Sequence, residues 1–113
     1  MTRSHVTTHV LDAATGRPAS GVGVALEQLD AGSWIPLALA ATDEDGRVGE
    51  LGAERLGAGV YRVRFATGDW FARSGVTTFY PEVLIVFEIA SEDEHYHVPL
   101  LLSPFAYSTY RGS

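Results

Sequence analysis

Four histidines, at positions 5, 9, 95 and 97, and eight basic residues, all of them arginine, are the groups with which this chain can do chemistry near neutral pH. There is no cysteine, so thiolate nucleophiles, zinc–thiolate modules, iron–sulfur sites and disulfide scaffolds are excluded together. Imidazole exchanges protons near pH 7, and guanidinium grips planar anions through two parallel hydrogen bonds. His95 and His97 stand two apart, so on a strand they project from one face, as His5 and His9 do on theirs. A His-x-His pair is also part of a zinc site, which needs a third ligand that His9 could supply. Taken singly, each histidine is more simply a strand-end residue satisfied by backbone or water. Arg47 follows Asp43-Glu44-Asp45-Gly46, a turn in which Gly46 can take a positive φ, and the plain reading is a hairpin arginine paired with a nearby acid. The last seven residues, Tyr107-Ser108-Thr109-Tyr110-Arg111-Gly112-Ser113, are polar and aromatic where a finishing strand is normally apolar. Fraying is the default for a terminus, yet a phenol, a guanidinium, a hydroxyl and a carboxylate within four residues are the tools of a polar cleft.

The elements that must position these groups read as strands. In 60–65, Tyr61, Val63 and Phe65 share one face while Arg62 and Arg64 share the other, the wet side of a half-buried strand. Residues 4–11 alternate likewise, with Val6, Thr8 and Val10 opposite His5, Thr7, His9 and Leu11. The same rule predicts strands over 21–29, 34–41, 82–90, 96–102 and 107–111, separated by Gly-, Pro- and Asp-rich turns. Seven or eight short strands imply an all-β sandwich, because two sheets must bury their apolar faces on each other. One short helix is expected near 69–73, capped by Asp69, with Trp70 and Phe71 packing downward. The runs Val83-Leu84-Ile85-Val86-Phe87 and Val98-Pro99-Leu100-Leu101-Leu102 are apolar on both faces, which suggests that one face meets another subunit.

The 113 residues, 46% hydrophobic and 19% charged, fit a single folded domain spanning 1–113 and argue against disorder. A formal charge of -6 is the wrong sign for phosphate-backbone binding, so a nucleic-acid partner is not expected. No apolar stretch reaches signal-peptide or membrane-spanning length, and the expectation is a cytoplasmic chain with no membrane partner.

Several separated motifs then coincide. Thr8-His9-Val10-Leu11-Asp12 with Gly16-Arg17-Pro18-Ala19, Asp45-Gly46-Arg47, Phe79-Tyr80-Pro81-Glu82-Val83, His95-Tyr96-His97-Val98-Pro99-Leu100-Leu101-Leu102-Ser103-Pro104 and the terminal Tyr110-Arg111-Gly112-Ser113 resemble the 5-hydroxyisourate hydrolase family, the enzymatic branch of the transthyretin-like proteins. The matches run in order from position 8 to position 113. The resemblance implies a transthyretin-like β-sandwich whose subunits pair edge to edge and whose dimers pack face to face as a homotetramer. It also implies hydrolysis of 5-hydroxyisourate, the unstable product of urate oxidation, to 2-oxo-4-hydroxy-4-carboxy-5-ureidoimidazoline, without a cofactor or metal. The site it implies lies between dimers. His9, Arg47, His97 and Ser113 are its catalytic residues, and His9, Arg47, His97, Tyr110 and Arg111 contact substrate.

Opening a lactam ring needs a base for water and donors for the oxyanion that develops. His9 and His97 suit the first task, with the division between them open, and Arg47 and Arg111 suit the second. Tyr110 and Ser113 would orient ring or water; a nucleophilic Ser113 is less favoured, because no Ser-His-Asp set is readable. His95 is at most a supporting residue. A transthyretin-type carrier of a hydrophobic aromatic ligand is the first rival, and it would want an apolar channel rather than ionisable walls. A sandwich without chemistry and a zinc hydrolase are the others.

Overall fold

The computed structural model describes residues 3–113. Among them nine strands and one helix follow in chain order: β1 (Val6–Asp12), β2 (Arg17–Pro18), β3 (Gly23–Asp30), β4 (Ser33–Ala41), β5 (Arg47–Val48), β6 (Gly59–Phe65), α1 (Thr67–Arg73), β7 (Val83–Ile89), β8 (Tyr96–Ser103) and β9 (Ala106–Thr109). One sheet has the order β2-β1-β8-β9, with β5 also paired to β1, and the other has the order β4-β3-β6-β7. The seven strands expected from alternation are all present. The two additional ones, β2 and β5, are two residues long, too short to show a period in the sequence.

The sheets meet through alternate residues of their strands, and in β1 and β6 these are the face that alternation assigns to the core. Val6 and Val10 of β1 and Val98, Leu100 and Leu102 of β8 are buried on one side, and Val24, Leu26, Tyr61, Val63, Phe65, Val83 and Ile89 are buried on the other. Each such side chain contributes about 1.5–3 kcal/mol relative to exposure. Thr8 sits among them by donating its hydroxyl to the Val98 carbonyl at 2.5 Å, which satisfies the polar atom locally.

Three details depart from expectation. Asp69 does not cap α1: Ala66 occupies the N-cap and no side chain bonds the first turn, although Phe71 is buried and Trp70 Nε1 donates to the Ser20 carbonyl at 2.7 Å. The helix is therefore held by packing and tertiary hydrogen bonds. Arg62 and Arg64 do not stand free in solvent, since both donate to the buried Glu27, from Arg62 Nε at 2.5 Å and from Arg64 Nη2 at 2.7 Å. Burial pushes the Glu27 carboxyl up, but these two partners outweigh it and hold the group below its ordinary value. The last strand ends at Thr109, not Arg111; beyond it the tail rejoins the sheet only where the Gly112 N–H donates to the His97 carbonyl at 2.9 Å.

The apolar runs are covered unequally. In β8, which lies between β1 and β9, Pro99 is buried and Leu101 half-buried, whereas β7 is an edge strand that leaves Leu84 and Val86 exposed. No helix among the described residues is long and apolar enough to cross a membrane.

Candidate active site

The site is built on the outer face of the first sheet. β1 and β8 run parallel with Thr7 opposite His97, and β5 pairs antiparallel with β1 so that His9 lies opposite Arg47. Directly opposed residues share a face, and so do residues two apart on one strand. Thr7, His9, Arg47 and His97 therefore project together, away from the core that Val6, Thr8, Val10 and Val98 enter. Only the parallel pairing of the first long strand with the eighth makes this possible.

Arg47 is delivered by the turn before it. The Asp43 carboxylate accepts the backbone N–H groups of Asp45 and Arg47, each at 2.9 Å. The bond from Arg47 N–H chief among them holds the Asp43 carboxyl below its usual range, with some opposition from desolvation. Gly46 has φ 75°, and a Cβ there would collide with the Val10 carbonyl oxygen. The turn packs so closely on β1 that glycine is required twice over, by its φ and by the space.

A cleft of about 210 Å³ opens at this face, lined by Arg3, Thr7, Arg47, His95, His97 and Ser113 among others. Its histidines are individually constrained. His97 Nδ1 lies 2.8 Å from the Thr7 hydroxyl, and no protein group among the described residues bonds its Nε2. Burial lowers the basicity of His97, the nearby Arg47, His9 and Arg3 lower it further, and a hydrogen bond to the Thr7 backbone opposes them. His9 Nε2 donates to the Asp45 carbonyl at 2.9 Å. A carbonyl can only accept, so the His9 proton sits on Nε2 and Nδ1 keeps its lone pair. His5, by contrast, is a buried structural residue: its Nδ1 accepts the Leu56 N–H at 2.8 Å and its Nε2 donates to the Glu94 carbonyl at 2.6 Å.

Of the residues expected in the site, Arg47, His97 and Ser113 line one cleft, and His9 flanks it beside Arg47. Tyr110 and Arg111 lie elsewhere in the same chain. They line a separate groove of about 350 Å³ with Ile85, Phe87, Tyr96 and Val98, where the edge strands β7 and β9 part. There the Arg111 guanidinium lies 4.5 Å over the Tyr96 ring and donates to the His95 carbonyl at 3.2 Å, while Tyr110 is 60% exposed. His97, on the strand between, lines both spaces. Arg3 and Thr7 are the cleft residues that motif reading overlooked. Thr7 carried a signal, since it shares the face of His9, and Arg3 carried none. Among the described residues no three His, Asp or Glu side chains cluster closely enough to hold a metal ion.

The chemical inventory is thus two imidazoles with free ring nitrogens, a guanidinium and a hydroxyl around a partly desolvated space. Comparison with known proteins bears on its meaning. The 5-hydroxyisourate hydrolase of Salmonella typhimurium is 51% identical over 106 residues, covering 93% of this chain and 78% of the relative. Among solved structures, Klebsiella pneumoniae 5-hydroxyisourate hydrolase superposes with a TM-score of 0.86 at 40% identity, over 96% of this chain and 98% of that one. Transthyretin from Sparus aurata superposes with a TM-score of 0.92 at 37% identity, over 97% of each chain. The model of the HIUase/Transthyretin family matches residues 6–112, and the chain belongs to that family.

Proposed function

We infer that this protein is a hydrolase that opens the lactam ring of 5-hydroxyisourate to give 2-oxo-4-hydroxy-4-carboxy-5-ureidoimidazoline in urate degradation. Within a family that holds both hydrolases and transthyretins, overall shape does not discriminate, and the walls of the cleft do. The observation that carries the reading is the convergence of Arg47, His97 and Ser113 on one partly buried space, with His9 beside it. A hydrophobic carrier would have to cover these ionisable groups without compensating hydrogen bonds, at a cost of several kcal/mol.

In the reaction, His97 Nε2 takes a proton from water as the oxygen adds to the lactam carbonyl. The Arg47 guanidinium donates hydrogen bonds to the developing oxyanion. The carbon–nitrogen bond of the tetrahedral intermediate then breaks, the carbonyl re-forms as a carboxylic acid that ionises, and the leaving nitrogen recovers a proton from the imidazolium. His9, its Nε2 tied to Asp45, offers Nδ1 to the substrate or to the water. Ser113 orients the ring by hydrogen bonding. A positioned base contributes about 10²–10⁴-fold and an oxyanion donor about 10²–10³-fold. Residues 1–113 act as one domain, in the cytoplasm.

Tyr110 and Arg111 contact substrate only if a second copy contributes them. The reading accordingly includes a homotetramer of edge-paired dimers in which facing copies complete each cleft. The exposed Leu84, Val86 and Phe105 are apolar surface that such packing would cover.

The test is to generate 5-hydroxyisourate in situ from urate with urate oxidase and follow its absorbance decay. Metal-stripped protein should accelerate the decay, and His97→Asn protein should not. Decay no faster than the spontaneous rate, or acceleration only after zinc is restored, would overturn the reading.

A further inference from the structure

A single hydroxyl joins two imidazoles at the floor of the cleft. Thr7 Oγ1 lies 2.8 Å from His95 Nε2 and 2.8 Å from His97 Nδ1. A threonine hydroxyl carries one proton and two lone pairs, so it cannot donate to both rings. When it donates to one, it must accept from the other, and the tautomers of the two histidines are coupled through it. Thr7 is only 7% exposed, so water competes poorly for either bond. Its β-branched side chain has few rotamers with which to escape the choice.

The requirement for a base sets the direction of the chain of bonds: His97 Nε2, which no protein group among the described residues bonds, keeps its lone pair in the neutral ring only when the proton is on Nδ1. Gly112 closes the opposite side of that ring: a Cβ on Gly112 would overlap His97 Cδ2. The imidazole is thus held between the Thr7 hydroxyl at Nδ1 and the tail at Cδ2.

We propose that Thr7 is a positioning residue that accepts the Nδ1 proton of His97 and donates its own to His95 Nε2, leaving the lone pair of His97 Nε2 free in the cleft. The opposite orientation would put the His97 proton on Nε2 and turn the base into a donor. His95 therefore acts through Thr7: as a neutral acceptor it keeps His97 in the basic tautomer. A proton on His95 Nε2 would reverse both bonds. Burial first, and then Arg3, His97 and His5, keep His95 neutral, so one of its ring nitrogens is an acceptor. The direction of the bonds rests on the hydrolytic reading of the same cleft, whereas the coupling of the two tautomers through Thr7 does not.

The experiment separates the two. In protein labelled with ¹⁵N in histidine, the ring-nitrogen shifts report which nitrogen of His97 carries the proton, with His97→Asn supplying the assignment. The parent should show Nδ1–H at His97. Thr7→Val, which keeps shape and removes the hydroxyl, should shift His97 toward Nε2–H and lower kcat about 10–100-fold with KM within about threefold. Thr7→Ser should restore both the parent tautomer and most of kcat, and His95→Ala should shift the tautomer in the direction of the valine variant. An Nε2–H tautomer in the parent, or an unchanged His97 tautomer in the valine variant, overturns the proposal whether or not the protein turns over substrate. Loss of turnover on His97→Asn with unchanged turnover on Thr7→Val would likewise overturn it while leaving the hydrolytic reading intact.

Discussion

At the scale of single residues, the cleft works by restricting what each side chain can do. His97 is poorly solvated and lies near Arg47, His9 and Arg3, so it gives up its proton more readily than a free imidazole, whose pKa is 6.5. If His97 is the base, the acidic limb of the kcat/KM profile falls below pH 6.5. Replacing Arg47 with methionine removes a neighbouring cation, which favours imidazolium, so the limb should move upward in addition to any loss of rate. A pH profile of both proteins checks this, and a limb that stays in place would show that another group titrates. Gly112 offers a sharper probe, because adding one methyl would push the tail off His97. Gly112→Ala should lower kcat about tenfold or more through a misplaced base. The midpoint of thermal unfolding should change by only a few degrees, as measured by calorimetry beside the assay.

At the scale of elements, one local device positions the site and another ties two strands of the opposite sheet together. The 43–47 turn sets Arg47 against His9, and it closes only because Gly46 takes a left-handed φ hard against Val10. Gly46→Ala should cost about 1–3 kcal/mol in denaturant unfolding and raise KM by displacing Arg47. A stability within 0.5 kcal/mol of the parent, roughly the noise of a surface substitution, would contradict that. On the outer face of the other sheet, Glu27 of β3 accepts from Arg62 and Arg64 of β6. Glu27→Ala leaves two guanidiniums without their shared partner, and an expected loss of about 1–3 kcal/mol reflects their partial exposure. The assay should be unaffected, since this network lies across the core from the cleft.

At the scale of the whole molecule, ionisable groups tie stability to pH in a definable direction. His95 and His97 hold protons less well than ordinary histidine, so the unfolded chain binds more protons than the folded one just below pH 6.5. Glu27 adds a contribution that is present above pH 4.5 and lost as its carboxyl protonates in the fold. Stability should therefore be full above pH 6.5 and decline steadily on acidification. Urea unfolding midpoints at several pH values test this, and the His95→Ala, His97→Asn double variant should flatten the decline nearest pH 6.5. The architecture behind these numbers was largely legible in the chain itself. Period-two alternation located the seven longer strands and, for residues 4–11 and 60–65, the buried face, while the resemblance of separated motifs to a known family singled out His9, Arg47, His97 and the last four residues. Alternation is a local property, set by which side of a strand each residue occupies, so sequence alone determines it. Which strand lies beside which is decided by long-range pairing: β1 lies parallel to β8, each residue opposite one ninety positions further along the chain. That register, and not any motif, puts the Thr7 hydroxyl between two histidines, carries Tyr110 and Arg111 to the far side of β8, and leaves His97 where both spaces meet.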